Sequence, residues 1–480
     1  MPDYETVIGL EVHAQLTTSS KLFCGCSTRY GAPPNSQVCP VCMGLPGAMP
    51  TLNREAVELA VRVIEAFGGT VNRRSLFARK AYFYPDLPKG YQISQYNQPL
   101  GDGGRIEWFD VTQLNHVDLI RIHLEEDAGK LSHGSEDDLS LVDLNRCGIP
   151  LIEIVSAPDL KSPAAAHDCL QALSQILQYL DVCTGDMEKG AFRCDANVSV
   201  RAVGAQRPGT RTEIKNINSF KFVRKALEFE VSRQVSILES GGEIDQETLL
   251  WDENRNECVA MRRKEYSEEY RYFPEPDLLP LILDEEWLRE IRSSPVELPV
   301  HKIARFIHTY ELSFEDARVL TSKRSLAVFF EDVVTSGADA VQAANWIQTE
   351  FLRHLNDSGQ DIRDIAVSPG QLASLLSMIT DGKLSGKLAK TVFAEMIDSG
   401  DDPGRIVEQK SLRRIADEKE LAPIVEMILQ KEQKNVAGYR AGKTKLLSYF
   451  IGEVMKATDG MADPGVVSIL LKRYLNGSTS

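Results

Sequence analysis

IGLEVHAQL, residues 8–16, alternates apolar and polar side chains without a break. In an extended chain Leu10, Val12 and Ala14 fall on one side, and Glu11, His13 and Gln15 on the other. Other stretches divide the same way. In IRIHLEED (120–127), Ile122 and Leu124 oppose Arg121, His123 and Glu125. In RCDANVSVR (193–201), Cys194, Ala196, Val198 and Val200 oppose Arg193, Asp195, Asn197, Ser199 and Arg201. In RTEIKN (211–216), Thr212 and Ile214 oppose Arg211, Glu213 and Lys215. Glu153 stands alone in the apolar run PLIEIVSAP, a costly place for a carboxylate without a partner.

One such polar face is ordinary for an antiparallel strand wetted on one side. As a set they are not ordinary, because Glu, His, Asp and Asn recur with Arg, and each strand offers a candidate metal ligand. Oxygen donors with one imidazole and no thiolate suit Mg²⁺ or Mn²⁺ better than zinc. Arginines among the acids suit a polyphosphate bound through such an ion. The residues thus point to a nucleotide-dependent enzyme.

Around these strands, residues 1 to about 294 read as an α+β domain with few helices. Ser162-Pro163 predicts a helix start, and a second helix is predicted from Ser219 to Ser240, stopped by Gly241-Gly242. FPEPDLLPLILDEEW marks the exit. From 295 the pattern is helical, with starts at Ser313, Ser368, Asp402-Pro403 and Asp463-Pro464. DSGDDPG (398–404) divides this part into an all-α domain, 295–405, and a small all-α tail, 406–480. Net charge is −15, yet the tail carries 12 Lys/Arg against 9 Asp/Glu. A polyanion would meet the tail more readily than the acidic body. YFYPDLP (82–88) and YRYFPEPD (270–277) read as two aromatic turns, either packing a core or gripping an RNA end.

Four of the nine cysteines lie in CGCSTRYGAPPNSQVCPVC, at Cys24, Cys26, Cys39 and Cys42. CxC and CxxC spacing lets four thiolates meet at a tetrahedral zinc; disulfides or redox switching are the alternatives. The N-terminus lacks a signal pattern and no run of about twenty apolar residues exists, so a cytosolic, reducing setting and a structural zinc knuckle are expected. GYRAGKT (438–444) is one residue short of a phosphate loop and lacks a preceding strand. There is no GxSxG elbow and no nucleophile–base pair for releasing ammonia from an amide; Cys147 and Cys194 read as buried structural thiols.

IGLEVHAQL, RKAYFYPDLPKGYQISQYNQP, HLEEDAGK, SLVDLNRCGIPLIEIVS, FRCDANVSVR, YRYFPEPDL and GYRAGKTKLLSYFIGEVMKAT together closely resemble the B-subunit family of glutamyl/aspartyl-tRNA amidotransferases. The resemblance implies a cradle-shaped catalytic domain similar to glutamine synthetase, with a mostly antiparallel sheet, then a helical domain and a tRNA-contacting tail. It implies that ATP phosphorylates the side-chain carboxylate of Glu or Asp mischarged on tRNA(Gln) or tRNA(Asn), and that ammonia then displaces phosphate. A separate amidase (glutaminase) subunit would supply the ammonia, and a small third subunit would clamp the pair. Mg²⁺ would be held by Glu11, His13, Glu125 and Glu153, with Asp195 and either Glu126 or Glu213 nearby. Arg193, Arg201, Arg211 and Lys215 would offset phosphate charge. The four cysteines match the zinc-bearing branch of the family. The competing reading from another class is a non-catalytic, Mg-binding tRNA adaptor, which would show no ATP hydrolysis dependent on charged tRNA; a zinc hydrolase would need no nucleotide.

Overall fold

The structure is a computed structural model describing residues 4–111, 113–133, 139–263, 270–410, 412 and 414–476. It divides into two compact units, Met1–Lys302 and Ile303–Ser480.

The N-terminal unit is built on a ten-stranded sheet. At its centre strand Tyr4–Gln15 lies between Pro150–Ser156 and Phe192–Ala202, antiparallel to both. Gln113–Glu126 continues one side, antiparallel to Pro150–Ser156. Thr212–Ile217, Glu247–Asp252 and Glu257–Arg263 continue the other. All pairings are antiparallel except that of 212–217 with 247–252. The expected mostly antiparallel α+β arrangement is what forms.

Helices Arg54–Ala66, Pro163–Tyr179 and Phe220–Glu239 share the main core with the sheet's apolar side. Leu10, Val12, Ile122, Leu124, Ile152, Ala196 and Val198 lie there with Val57, Leu170, Leu173, Leu177 and Leu227, all buried. Covering one face this way leaves the alternate residues of the same strands on the other, which is how period-two patterning creates a polar surface. Ser162 and Ser219 cap their helices as expected, each hydroxyl accepting from a backbone N–H in the first turn.

Among the described residues of the C-terminal unit the regular elements are all helices, with one isolated bridge between Ile415 and Ala462. Ser313, Ser368, Asp402 and Asp463 are N-caps, and Ser368 with Gln371 forms a full capping box. Leu421, Val425, Phe450, Val454, Val467 and Leu471 form the buried core of the tail. Helix Gln433–Arg440 runs into GYRAGKT, so no strand leads into that segment and it lacks the setting of a phosphate loop.

Candidate active site

The ladders align the polar residues of different strands. His13 pairs across with Glu153 on one side and Arg193 on the other, Glu11 pairs with Asp195, and Glu153 pairs with His123. Because adjacent strands lie about 4.8 Å apart, such a row converges on one point. His13 Nε2 lies 3.3 Å from Glu153, 3.4 Å from Glu125 and 3.9 Å from Glu11. His123 Nε2 lies 3.3 Å from the same Glu153 oxygen. Glu125 and Glu153 are buried, and Ser94 Oγ donates to Glu125. Two ligand triads result, Glu11–His13–Glu153 and His123–Glu125–Glu153.

Charge on this face is concentrated. Burial alone would depress the His13 imidazole, but the Glu153 hydrogen bond and the Glu125 and Glu153 charges lift it to about 9. Glu153 is desolvated too, yet His123 and His13 hold it well below the usual carboxylate range. Desolvation and then the Glu153 charge push Glu11 the other way, upward. The cations at the edge are held in turn. Lys215 Nζ sits 2.7 Å from Asp195 and 3.3 Å from Glu213. Arg193 donates to the buried Asp127 at 2.8 Å, and Gln15 donates to the other oxygen of Asp127. A β-bulge places Lys215 and Asn216 opposite Asp195, which aims Lys215 at that carboxylate.

Sequence reasoning missed the opposite rim. Lys80, on the short strand Ala78–Ala81, is desolvated but is raised above its usual range by Glu125 first and then Tyr272. It sits 5.0 Å from the Tyr270 ring. Tyr82 packs edge-on to Tyr270, Tyr270 edge-on to Tyr272, and Tyr272 stacks on Tyr96 at 4.1 Å. The two aromatic turns thus form one tyrosine wall. A clip holds them: Arg79 makes a bidentate pair with the buried Glu275, both contacts 2.7 Å, while Phe273 pairs with Arg79 in the backbone ladder. His123 stood on the polar face in the sequence but was not read as a ligand; only the register with Glu153 reveals it.

Glu11, His13, Glu125, Glu153, Asp195, Arg193 and Lys215 are thus brought together. Arg201 is not among them. It pairs with Glu5 six residues along the strand from Asp195, about 20 Å away at strand rise. Arg211 is exposed just before strand 212–217 begins. Glu126 points to the other side of its strand, bonded to Lys89 and to the Ile93 amide, whereas Glu213 reaches the group through Lys215. Cys147 and Cys194 are buried, and desolvation pushes both thiols up, Cys147 to about 12, the opposite of an activated nucleophile.

The cysteine cluster lies elsewhere in this unit. The Sγ atoms of Cys24, Cys26, Cys39 and Cys42 all fall within 4.8 Å of one another, and all nine cysteines are free thiols. Cys39 and Cys42 Sγ are 3.9 Å apart, close to the roughly 3.8 Å edge of a tetrahedron with zinc–sulfur bonds of about 2.3 Å. Cys42 is drawn down to about 4, first by the Cys24 thiol, then, against desolvation, by the Cys39 amide and the Lys21 ammonium. Lys21 is fully buried, 3.6 Å from Cys42 Sγ, and donates to Gln37 and Leu144 carbonyls.

A family model described as the GatB/GatE catalytic domain matches residues 6–289, and one described as the GatB domain matches 328–475. A protein of Desulfotalea psychrophila, named as the B subunit of the aspartyl/glutamyl-tRNA(Asn/Gln) amidotransferase, is 52% identical over 475 residues, covering 99% of this chain and 100% of that protein. Its namesake from Solidesulfovibrio magneticus is 50% identical over 475 residues, with the same coverage of both chains. On the strength of both domain matches and this full-length identity, the chain belongs to the B-subunit family of aspartyl/glutamyl-tRNA(Asn/Gln) amidotransferases.

Proposed function

We propose that this chain carries the transamidation of Glu-tRNA(Gln), Asp-tRNA(Asn) or both, activating the side-chain carboxylate with ATP. The γ-phosphoryl group passes to the carboxylate oxygen, and ammonia then replaces phosphate at the carbonyl carbon. The supporting observation is the convergence of Glu11, Glu125 and Glu153 on His13, flanked by Arg193, Lys215 and Lys80. Three carboxylates and an imidazole without a thiolate fit a hard divalent cation such as Mg²⁺, with Asp195 at the margin. Such an ion, when bound, stabilises charge developing on the transferring phosphoryl group. Arg193 and Lys215 are pinned by Asp127 and Asp195 and present fixed positive charge to phosphate oxygens. Lys80, on the other rim, is placed to meet the anionic end of the aminoacyl group.

The ammonia source is a partner amidase subunit, with a small third subunit holding the two together, in the cytoplasm. No described helix is long and apolar enough to cross a membrane. The decisive experiment combines the reconstituted complex with mischarged tRNA, ATP, Mg²⁺ and glutamine. Gln-tRNA or Asn-tRNA should form, with ATP consumed only when charged tRNA is present. Product from the isolated chain with glutamine alone would contradict the partnership.

The four thiolates hold a structural zinc. Metal analysis of reduced protein should give one zinc per chain. Lys21 offsets part of the tetrathiolate charge, so Lys21→Met should speed zinc loss to a chelator about tenfold or more, the usual scale for outer-sphere partners. Unchanged release would separate Lys21 from the metal.

We also read residues 1–294 as the catalytic domain, 295–405 as a helical domain and 406–480 as a tRNA grip. Lys443, Lys445, Lys456 and Lys472 are exposed, whereas Arg440 is turned onto the Leu475 and Tyr474 carbonyls and Arg473 pairs with Glu418. Deleting 406–480 should raise KM for charged tRNA and flatten the salt dependence of tRNA binding, because fewer counterions are released. An unchanged KM and salt slope would place the grip elsewhere.

A further inference from the structure

A run of hydrogen bonds joins the cysteine loop to the carboxylate face through segment 143–149, which leads into strand Pro150–Ser156. At the loop end, Asn35 donates to the Val142 carbonyl and the Asp143 carboxylate and accepts from the Leu144 amide. Asn145 accepts from the Gln37 amide and donates to the Pro33 carbonyl. The Cys147 thiol donates to the Cys42 carbonyl, and the Leu22 amide donates to the Gly148 carbonyl. Gly148 has a φ of 85°, and a Cβ there would lie 3.5 Å from the side chains of both Cys42 and Lys21. The segment is therefore seated on the cysteine loop itself.

At its other end the segment grips Asp127, which is buried just past the Glu126–Pro150 pair of the ladder. The Gly148 amide donates to the Asp127 carbonyl and the Asp127 amide to the Ile149 carbonyl, both at 2.8 Å. Arg146 donates to the Ala128 and Gly129 carbonyls, and its Nε lies 3.6 Å from the Asp127 carboxylate. One Asp127 oxygen accepts from Arg193 at 2.8 Å and the other from Gln15 at 2.9 Å. Arg193 pairs with His13 across the ladder, and Gln15 lies two residues along the strand from it. Desolvation works against the Arg193 charge, and Asp127 leads the groups that more than offset it.

We propose that Asp127 is a positioning residue for the transfer reaction, and that segment 143–149 makes its placement depend on the closed cysteine loop. This rests on the transamidation reading given above. Asp127 acts through Arg193, with Gln15 held by its second oxygen, so one carboxylate sets the geometry on two sides of His13. A buried carboxylate with a charge-assisted bond on one oxygen and a 2.9 Å bond on the other has little room to shift without losing one of them. Coupling over distance needs a contiguous set of fixed contacts, and each link from Asn35 to Arg193 is a direct bond or a step along the backbone. With the loop open, Asn35 and Lys21 lose their hold on the segment, and the segment its hold on Asp127. A centre that serves stability alone would brace the loop and leave Arg193 in place.

The test uses the reconstituted complex. Stripping zinc with a chelator should speed hydrogen exchange at the Asp127 and Gly148 amides about tenfold or more, and restoring zinc should reverse it. Acceleration confined to residues 20–45 would overturn the coupling. Asn35→Gly suits the left-handed backbone there (φ 57°) and removes the side-chain bonds to the segment without touching a thiol. It should lower kcat for charged-tRNA-dependent ATP turnover about tenfold, the scale for outer-sphere partners, while the chain keeps its zinc. KM for charged tRNA should stay within about twofold. Asp127→Asn should lower kcat further, and combining it with Arg193→Met should cost no more than Arg193→Met alone, because the first residue acts through the second. Losses that multiply in the double variant, or wild-type kcat in both Asn35→Gly and Asp127→Asn, would overturn the positioning role. If the wild-type complex fails to couple ATP consumption to charged tRNA, the reaction falls instead, while hydrogen exchange still decides the coupling.

Discussion

Glu153→Gln should lower charged-tRNA-dependent ATP turnover by about 10²–10³-fold, the scale for losing a group that organises transition-state charge. Among the described residues no other carboxylate is shared by both triads, and Glu153 faces both His13 and His123 at 3.3 Å. Glutamine keeps the volume but removes the charge, so two imidazoles and the proposed metal site lose their common anion together. Glu125→Gln should behave similarly, because Glu125 faces the His13 imidazole at 3.4 Å. The readout is trapping of the activated carboxylate with hydroxylamine, alongside glutamine hydrolysis in the partner amidase, which should persist. Wild-type trapping in Glu153→Gln would remove that residue from the site.

Arg79→Met should destabilise the N-terminal unit by about 3–5 kcal/mol, since it strands the buried Glu275 carboxylate without its counter-charge. At roughly 2–4 °C per kcal/mol for domains of this scale, the thermal midpoint should fall by roughly 10 °C. Adding Glu275→Gln should recover much of the loss, because the group left behind is then neutral. Turnover should fall as well, since the same clip positions Lys80 and the tyrosine wall. A midpoint within a degree or so of wild type would show that water reaches Glu275 and that the clip contributes little.

Alternation along 8–16, 120–127 and 193–201 was enough to select one face, and Glu153 was legible because a carboxylate in an apolar run demands a partner. Helix starts were legible for a similar local reason: a Ser or Asp hydroxyl or carboxylate is needed where backbone N–H groups lack partners. Alternation, however, fixes only the side of a strand and says nothing of distance along it. Arg201 shares a face with Asp195, yet lies too far along the strand to meet it. Arg211 fell just outside the strand it was assigned to. The bulge that aims Lys215 leaves no mark in RTEIKN, because any residue pair can be displaced by a shift of register. Lys80 and Tyr272 come from segments nearly two hundred positions apart, joined by a short strand whose pairing no periodicity specifies.

The central position of strand Tyr4–Gln15 has a consequence for the newborn chain. It is made before both of its neighbours, Pro150–Ser156 and Phe192–Ala202. At roughly 5–20 residues per second, the second neighbour emerges some 10–40 s after the first strand is made. Until Pro150–Ser156 emerges, a β-prone segment with an apolar flank at Ile8, Leu10 and Val12 has both hydrogen-bonding edges open, and until Phe192–Ala202 emerges it keeps one open, the condition that favours pairing with another chain. Slow or crowded synthesis should therefore favour pairing of the waiting strand with a neighbouring chain over pairing with its own later partners.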